Sequence, residues 1–101
     1  MIATLLTLAA LATSPVQLAE ADRRNQAFVA CLFQTARAAH ERAVPPAAFA
    51  ALLDGACLIE QRPLRRLLIT VLTAKGDRSP AQTADDTIRN ARAAVVRAYA
   101  F

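Results

Sequence analysis

CLFQTARAAHERAVPPAAFAALLDGAC, residues 31–57, sets two cysteines on either side of a proline pair. Up to Val44 the stretch carries four Ala and two Arg, which favour helix. The residue before a proline is pushed out of the helical region, so Val44-Pro45-Pro46 ends one helix, and Pro46 suits the first turn of the next. If Pro45-Pro46 is the tip of a helical hairpin, Cys31 lies about fourteen residues before it and Cys57 about eleven after, so at 1.5 Å per residue their heights differ by roughly 5 Å or less. Both lie on or beside the apolar stripe of their helix. A Cys31–Cys57 disulfide is therefore expected across the hairpin, contributing about 3 kcal/mol, a large share of a small domain's stability. Redox catalysis favours close spacing such as C-x-x-C, and a zinc site needs more ligands than two Cys and one His. The bond is read as structural.

Outward from this hairpin the periodicity is helical throughout. Ala supplies roughly a quarter of the chain and Gly is limited to 2 residues, which favours helices over strands and open loops. A first helix is expected from Pro15 to Arg42, with Ser14-Pro15-Val16-Gln17 as a capping box and Ala21, Phe28, Leu32, Ala36 and Ala39 on one side. A second runs from Pro46 to Lys75-Gly76, a basic last turn followed by a glycine suited to a left-handed cap. Its stripe is Phe49, Leu53, Cys57, Leu64, Leu67, Leu68 and Val71, in phase across Pro63. That phase predicts either one helix kinked at Pro63 or two nearly coaxial ones. A third starts at Ser79-Pro80-Ala81-Gln82 and buries Ala84, Ile88, Ala91, Val95 and Tyr99, with Asp85 and Arg89 spaced to pair. The expected fold is an all-α bundle of three helices, or four with a break at Pro63, around a disulfide-linked antiparallel helical hairpin.

All 20 charged residues lie from Glu20 onward, and the stretch from Met1 to Ala12 is apolar through Ile2, Leu5, Leu6, Leu8 and Leu11. That run has the length of a signal-peptide core and is shorter than the roughly twenty residues a membrane-spanning helix needs. Small residues at Ala10 and Ala12 place the favoured cleavage after Ala12. Residues 1–12 are thus expected to be a signal peptide, with positions up to 19 as alternative cleavage points, and residues 13–101 one helical domain. Export, to the periplasm or beyond, also agrees with an even cysteine count.

The net charge of +4 and a pI near 10.0 permit anionic partners. Arg62, Arg65 and Arg66 form the densest basic cluster, interrupted by Ile69, and could meet anionic lipid or an acidic protein. Nucleic acid is disfavoured, because no aromatic residues interleave with the arginines. Glu60 falls on the apolar side of its helix, at the height of Arg24, so a structural Arg24–Glu60 ion pair is expected. His40, the sole histidine, sits near a helix end. Glu41 beside it points elsewhere on a helix, and no Ser lies near, so it lacks a catalytic constellation. Gly-rich phosphate loops, metal-ligand clusters and Ser/His/Asp sets do not occur, and no cofactor is implied.

In size, leader and cysteine number the chain resembles small periplasmic helical proteins with one disulfide, such as acid-stress chaperones and lysozyme-inhibitor-type domains. That likeness covers size, export and cysteine number alone and carries over no functional residue; the expected function is that of a non-enzymatic exported protein that binds a protein partner or regulates envelope stress. A membrane-surface protein using Arg62, Arg65 and Arg66 is the alternative.

Overall fold

In the computed structural model, which describes residues 14–100, four helices follow one another: α1 Pro15–Glu41, α2 Pro46–Asp54, α3 Leu58–Ala74 and α4 Pro80–Tyr99. No strand occurs among the described residues, and the expected all-α bundle is present. The proposed leader, residues 1–12, and the terminal Phe101 lie outside the described residues.

Helix α1 begins as its sequence predicts. Ser14 is extended, and its Oγ accepts the Gln17 backbone N–H at 3.1 Å. The reciprocal half of the capping box is not made, since Gln17 Oε1 is buried without a hydrogen-bond partner. At the far end Ala43 turns left-handed at φ 56°, and the Val44 N–H returns to the Ala39 carbonyl at 3.0 Å. An alanine in that conformation costs roughly 1–2 kcal/mol. The returning hydrogen bond and the following proline pair hold it there.

The second expected helix is divided, but at a different place from Pro63. Helix α2 stops at Asp54, the chain turns through Gly55 and Ala56, and Cys57 is left-handed at φ 65° before α3 begins. Asp54-Gly55 is a weak pair for a helix interior, so the break falls where propensity is lowest. Pro63 stays inside α3, in its second turn. The carbonyl that loses its partner there belongs to Ile59, which is 82 % exposed, so water can replace the missing bond.

Gly76, at φ +87°, turns the chain after α3 as expected. The cap of α4 differs from the expected Ser79 pattern. Ser79 makes no side-chain cap; Asp77 instead accepts the Ser79 N–H at 2.7 Å and the Thr83 hydroxyl at 2.9 Å.

The helices run up, down, down and up. Helices α2 and α3 together form the descending arm, α3 beside the N-terminal half of α1, and α4 returns alongside both. The core takes Phe28, Leu32 and Ala39 from α1, Phe49 and Leu53 from α2, Leu64 from α3, and Ile88, Val95 and Tyr99 from α4. Burying each large apolar side chain is worth about 1.5–3 kcal/mol. Phe49 and Tyr99 stack with ring centroids 3.9 Å apart, and the Tyr99 hydroxyl donates to the Val44 carbonyl, closing the α1–α2 turn against the end of α4.

Candidate functional site

The disulfide forms where the hairpin arithmetic places it. Cys31 and Cys57 are bonded with Cα atoms 5.9 Å apart, tying the middle of α1 to the start of α3. Cys57 is thus the N-cap of α3, not a mid-helix residue. Glu60, three residues on, occupies the position from which a side chain folds back toward its N-cap. Its carboxylate and the two sulfurs lie within 4.8 Å of one another.

This placement corrects the expected Arg24–Glu60 pair. The Arg24 guanidinium binds Glu20, one turn back on its own helix, with Nε–Oε1 at 2.9 Å, and Arg23 binds the other oxygen of the same carboxylate. The two arginines hold Glu20 below the usual carboxylate range. Because both lie within a turn of Glu20, they reach it without crossing to another helix, whereas Glu60 is turned to the disulfide.

The basic cluster is divided as well. Arg65 crosses to α4 and binds Asp85, Nε to Oδ1 at 2.7 Å, while Arg62 and Arg66 remain exposed. The Arg65 hydrogen bond holds Asp85 below its ordinary pKa, and Asp85 in turn raises that of Arg65. Arg89, expected to pair with Asp85, donates to Asp86 at 2.7 Å. Arg62, Arg65 and Arg66 therefore do not form one free basic face.

The most heavily bonded arginine is one that its sequence context did not single out. Arg92 reaches from α4 into the α2–α3 break, where Nη1 donates to the Leu53 carbonyl at 2.6 Å and Nη2 to the Ala56 carbonyl at 2.8 Å. Nε and Nη2 also bind Gln61 Oε1, at 3.1 and 2.5 Å, and the guanidinium carbon lies 5.2 Å from the Phe28 ring centroid. Partial burial pulls the Arg92 pKa down, and the Asp54 carboxylate offsets part of that fall. Its only signal in the sequence was an Arg at the edge of the α4 apolar stripe, between Ala91 and Val95.

The largest recess described lies between the C-terminal halves of α1 and α4. It is a groove of about 450 Å³ lined by Phe33, Ala36, Arg37, His40, Glu41, Val95, Ala98 and Tyr99. Phe33 is 53 % exposed, and the His40 and Tyr99 rings lie 5.1 Å apart. The charged residues in its lining are exposed Arg37 and Glu41, while Arg97 lines a separate recess on the far side of α4. Small alanines keep the groove open, and helix ends place charge on its rim. His40 faces an aromatic ring and faces no nucleophile that the described contacts include.

No helix among the described residues is long and apolar enough to cross a membrane. Comparison of the chain with protein-family models, with curated proteins and with solved structures gives no match.

Proposed function

We propose that the chain is an exported, non-enzymatic binding protein whose α1–α4 groove receives an acidic protein segment bearing one large apolar side chain. The observation that carries this reading is the groove itself. Phe33 stands half out of the protein at the mouth of an apolar recess of about 450 Å³, within the size range of recognition pockets. A single exposed Phe is ordinary on a protein surface. One that continues into a recess floored by Ala36, Val95 and Tyr99 offers an anchor site of the kind that dominates partner binding. Arg37 in the lining offers an acidic side chain a partner, and the net charge of +4 favours an acidic occupant. Export is supported by the apolar stretch before Ala12 and by the disulfide, a bond that persists in oxidising compartments.

The chain contains one Tyr and no Trp, so the intrinsic fluorescence reports on Tyr99 inside the groove. Titration with a short helical peptide of Leu, Ala and Glu gives a saturable change in that signal. The change weakens when the peptide's Glu residues become Lys, weakens for Arg37→Glu, and is lost for Phe33→Ser. Equal responses to the acidic and basic peptides, or none to either, would rule the groove reading out.

One observation favours a second reading. Ile59, Arg62 and Arg66 recur at i, i+3 and i+7 on α3, all exposed, which is a spacing suited to an anionic membrane surface. Salt-sensitive co-sedimentation with phosphatidylglycerol vesicles, abolished by Arg62→Glu with Arg66→Glu, would support it over the groove.

A further inference from the structure

We infer that the reduced chain holds a thiophilic divalent cation, Zn²⁺ or a metal of similar preference, between Cys31, Cys57 and Glu60. The two sulfurs and a Glu60 carboxylate oxygen already lie within 4.8 Å of one another, contributed by two separate helices. A Cα–Cα distance of 5.9 Å fits a disulfide and also fits two thiolates on one ion. With Zn–S bonds of about 2.3 Å in tetrahedral geometry, the sulfurs stand roughly 3.8 Å apart. They would separate from bonding distance by a small side-chain rotation, with α1 and α3 left in place. Glu60 sits in the first turn of α3, three residues after Cys57, so the helix geometry that starts α3 also aims the carboxylate. Thr35 provides an outer partner. Its hydroxyl donates to the Cys31 carbonyl at 2.9 Å and lies 3.7 Å from Cys57 Sγ, leaving its oxygen free to orient that sulfur's proton before metal binding. Two thiolates and one carboxylate leave a fourth position for water, the arrangement of an open zinc site.

The chemistry balances simply. The Cys31–Cys57 bond takes two electrons and two protons from a dithiol reductant, which leaves as its own disulfide. The cation then displaces the two thiol protons and binds two thiolates and the Glu60 carboxylate, a set with a net charge of −1 once the ion is included. The oxidised chain has no thiolate to offer and does not bind. Metal binding and disulfide formation are mutually exclusive, so the same three residues read both redox state and zinc supply.

The test uses full-length protein reduced with a phosphine, desalted under anaerobic conditions and titrated with Zn²⁺ against a chromophoric chelator. Co²⁺ serves as the spectroscopic substitute. The reduced protein binds one ion, with tetrahedral cobalt bands and sulfur-to-cobalt charge transfer, and the oxidised protein binds none. Glu60→Gln lowers affinity about ten-fold or more, as loss of a ligand should. Zn²⁺ raises the melting temperature of the reduced chain, which shows binding to the folded form. The inference is overturned if Cys31→Ser/Cys57→Ser binds as tightly as the reduced wild type. It is equally overturned if Glu60→Gln leaves affinity unchanged, or if Zn²⁺ binds the reduced chain without raising its melting temperature.

Discussion

Arg92 shows how one side chain can fix a joint that local propensity leaves open. At the α2–α3 break the Leu53 carbonyl accepts only the turn bond from the Ala56 N–H, at 3.0 Å, and the Arg92 fork reaches both the Leu53 and Ala56 carbonyls while also binding Gln61. Arg92→Ala removes the side-chain donor from the Ala56 carbonyl and leaves the Leu53 carbonyl with the Ala56 N–H alone, and is expected to lower stability by about 1–3 kcal/mol, read by urea denaturation. Arg92→Lys should recover little of that loss, because a single ammonium cannot reproduce a planar fork on several acceptors. Full stability in Arg92→Ala would show that the joint is held without it. Neither Arg92 nor Asp77 could be assigned these roles from the sequence, since their partners depend on where the chain breaks and turns. Glu60 is half-buried beside the disulfide, and helix heights alone do not reveal its neighbours: Arg24 has a closer carboxylate, Glu20, within its own helix.

At the scale of elements, capping and periodicity were legible because they are local. Ser14 caps α1, Gly76 ends α3 in the left-handed region, and Phe28, Leu32, Phe49, Leu53, Ile88 and Val95 are buried on the expected stripes. The break was misplaced because Pro63 looks like the stronger interruption. A proline near a helix start disturbs little, however, when the carbonyl it orphans faces water. The Asp54-Gly55 weakness combined with a left-handed Cys57 proved decisive, and the disulfide pins that turn to α1. Cys31→Ser/Cys57→Ser is expected to lower stability by about 3 kcal/mol. Amide hydrogen exchange should rise first at residues 53–58, where the joint depends on that bond. Unchanged exchange there would mean that core packing alone sets the joint.

For the whole molecule, carboxylates held by arginines link stability to pH. Asp85, bound by Arg65, and Glu20, bound by Arg23 and Arg24, both have folded-state pKa values below their unfolded ones. Their contribution is therefore complete above the ordinary carboxylate range and disappears as pH falls through the depressed folded values. The melting temperature should be level from neutral pH down to that range and then decline. Asp85→Asn should remove part of the decline, by a small amount because the pair is solvent-exposed. A melting temperature that rises on acidification would contradict this linkage.

The apolar first dozen residues and the disulfide are independent features that both support the proposed export, and binding at the groove is proposed for an exported protein. Intact-mass spectrometry of the natural protein from the cell envelope, before and after reduction and alkylation, tests both features at once. The expected chain begins at Thr13, or no later than residue 20, is two hydrogens lighter than its sequence, and gains two alkyl groups only after reduction. A chain beginning at Met1 that alkylates at Cys31 and Cys57 without reduction would contradict it.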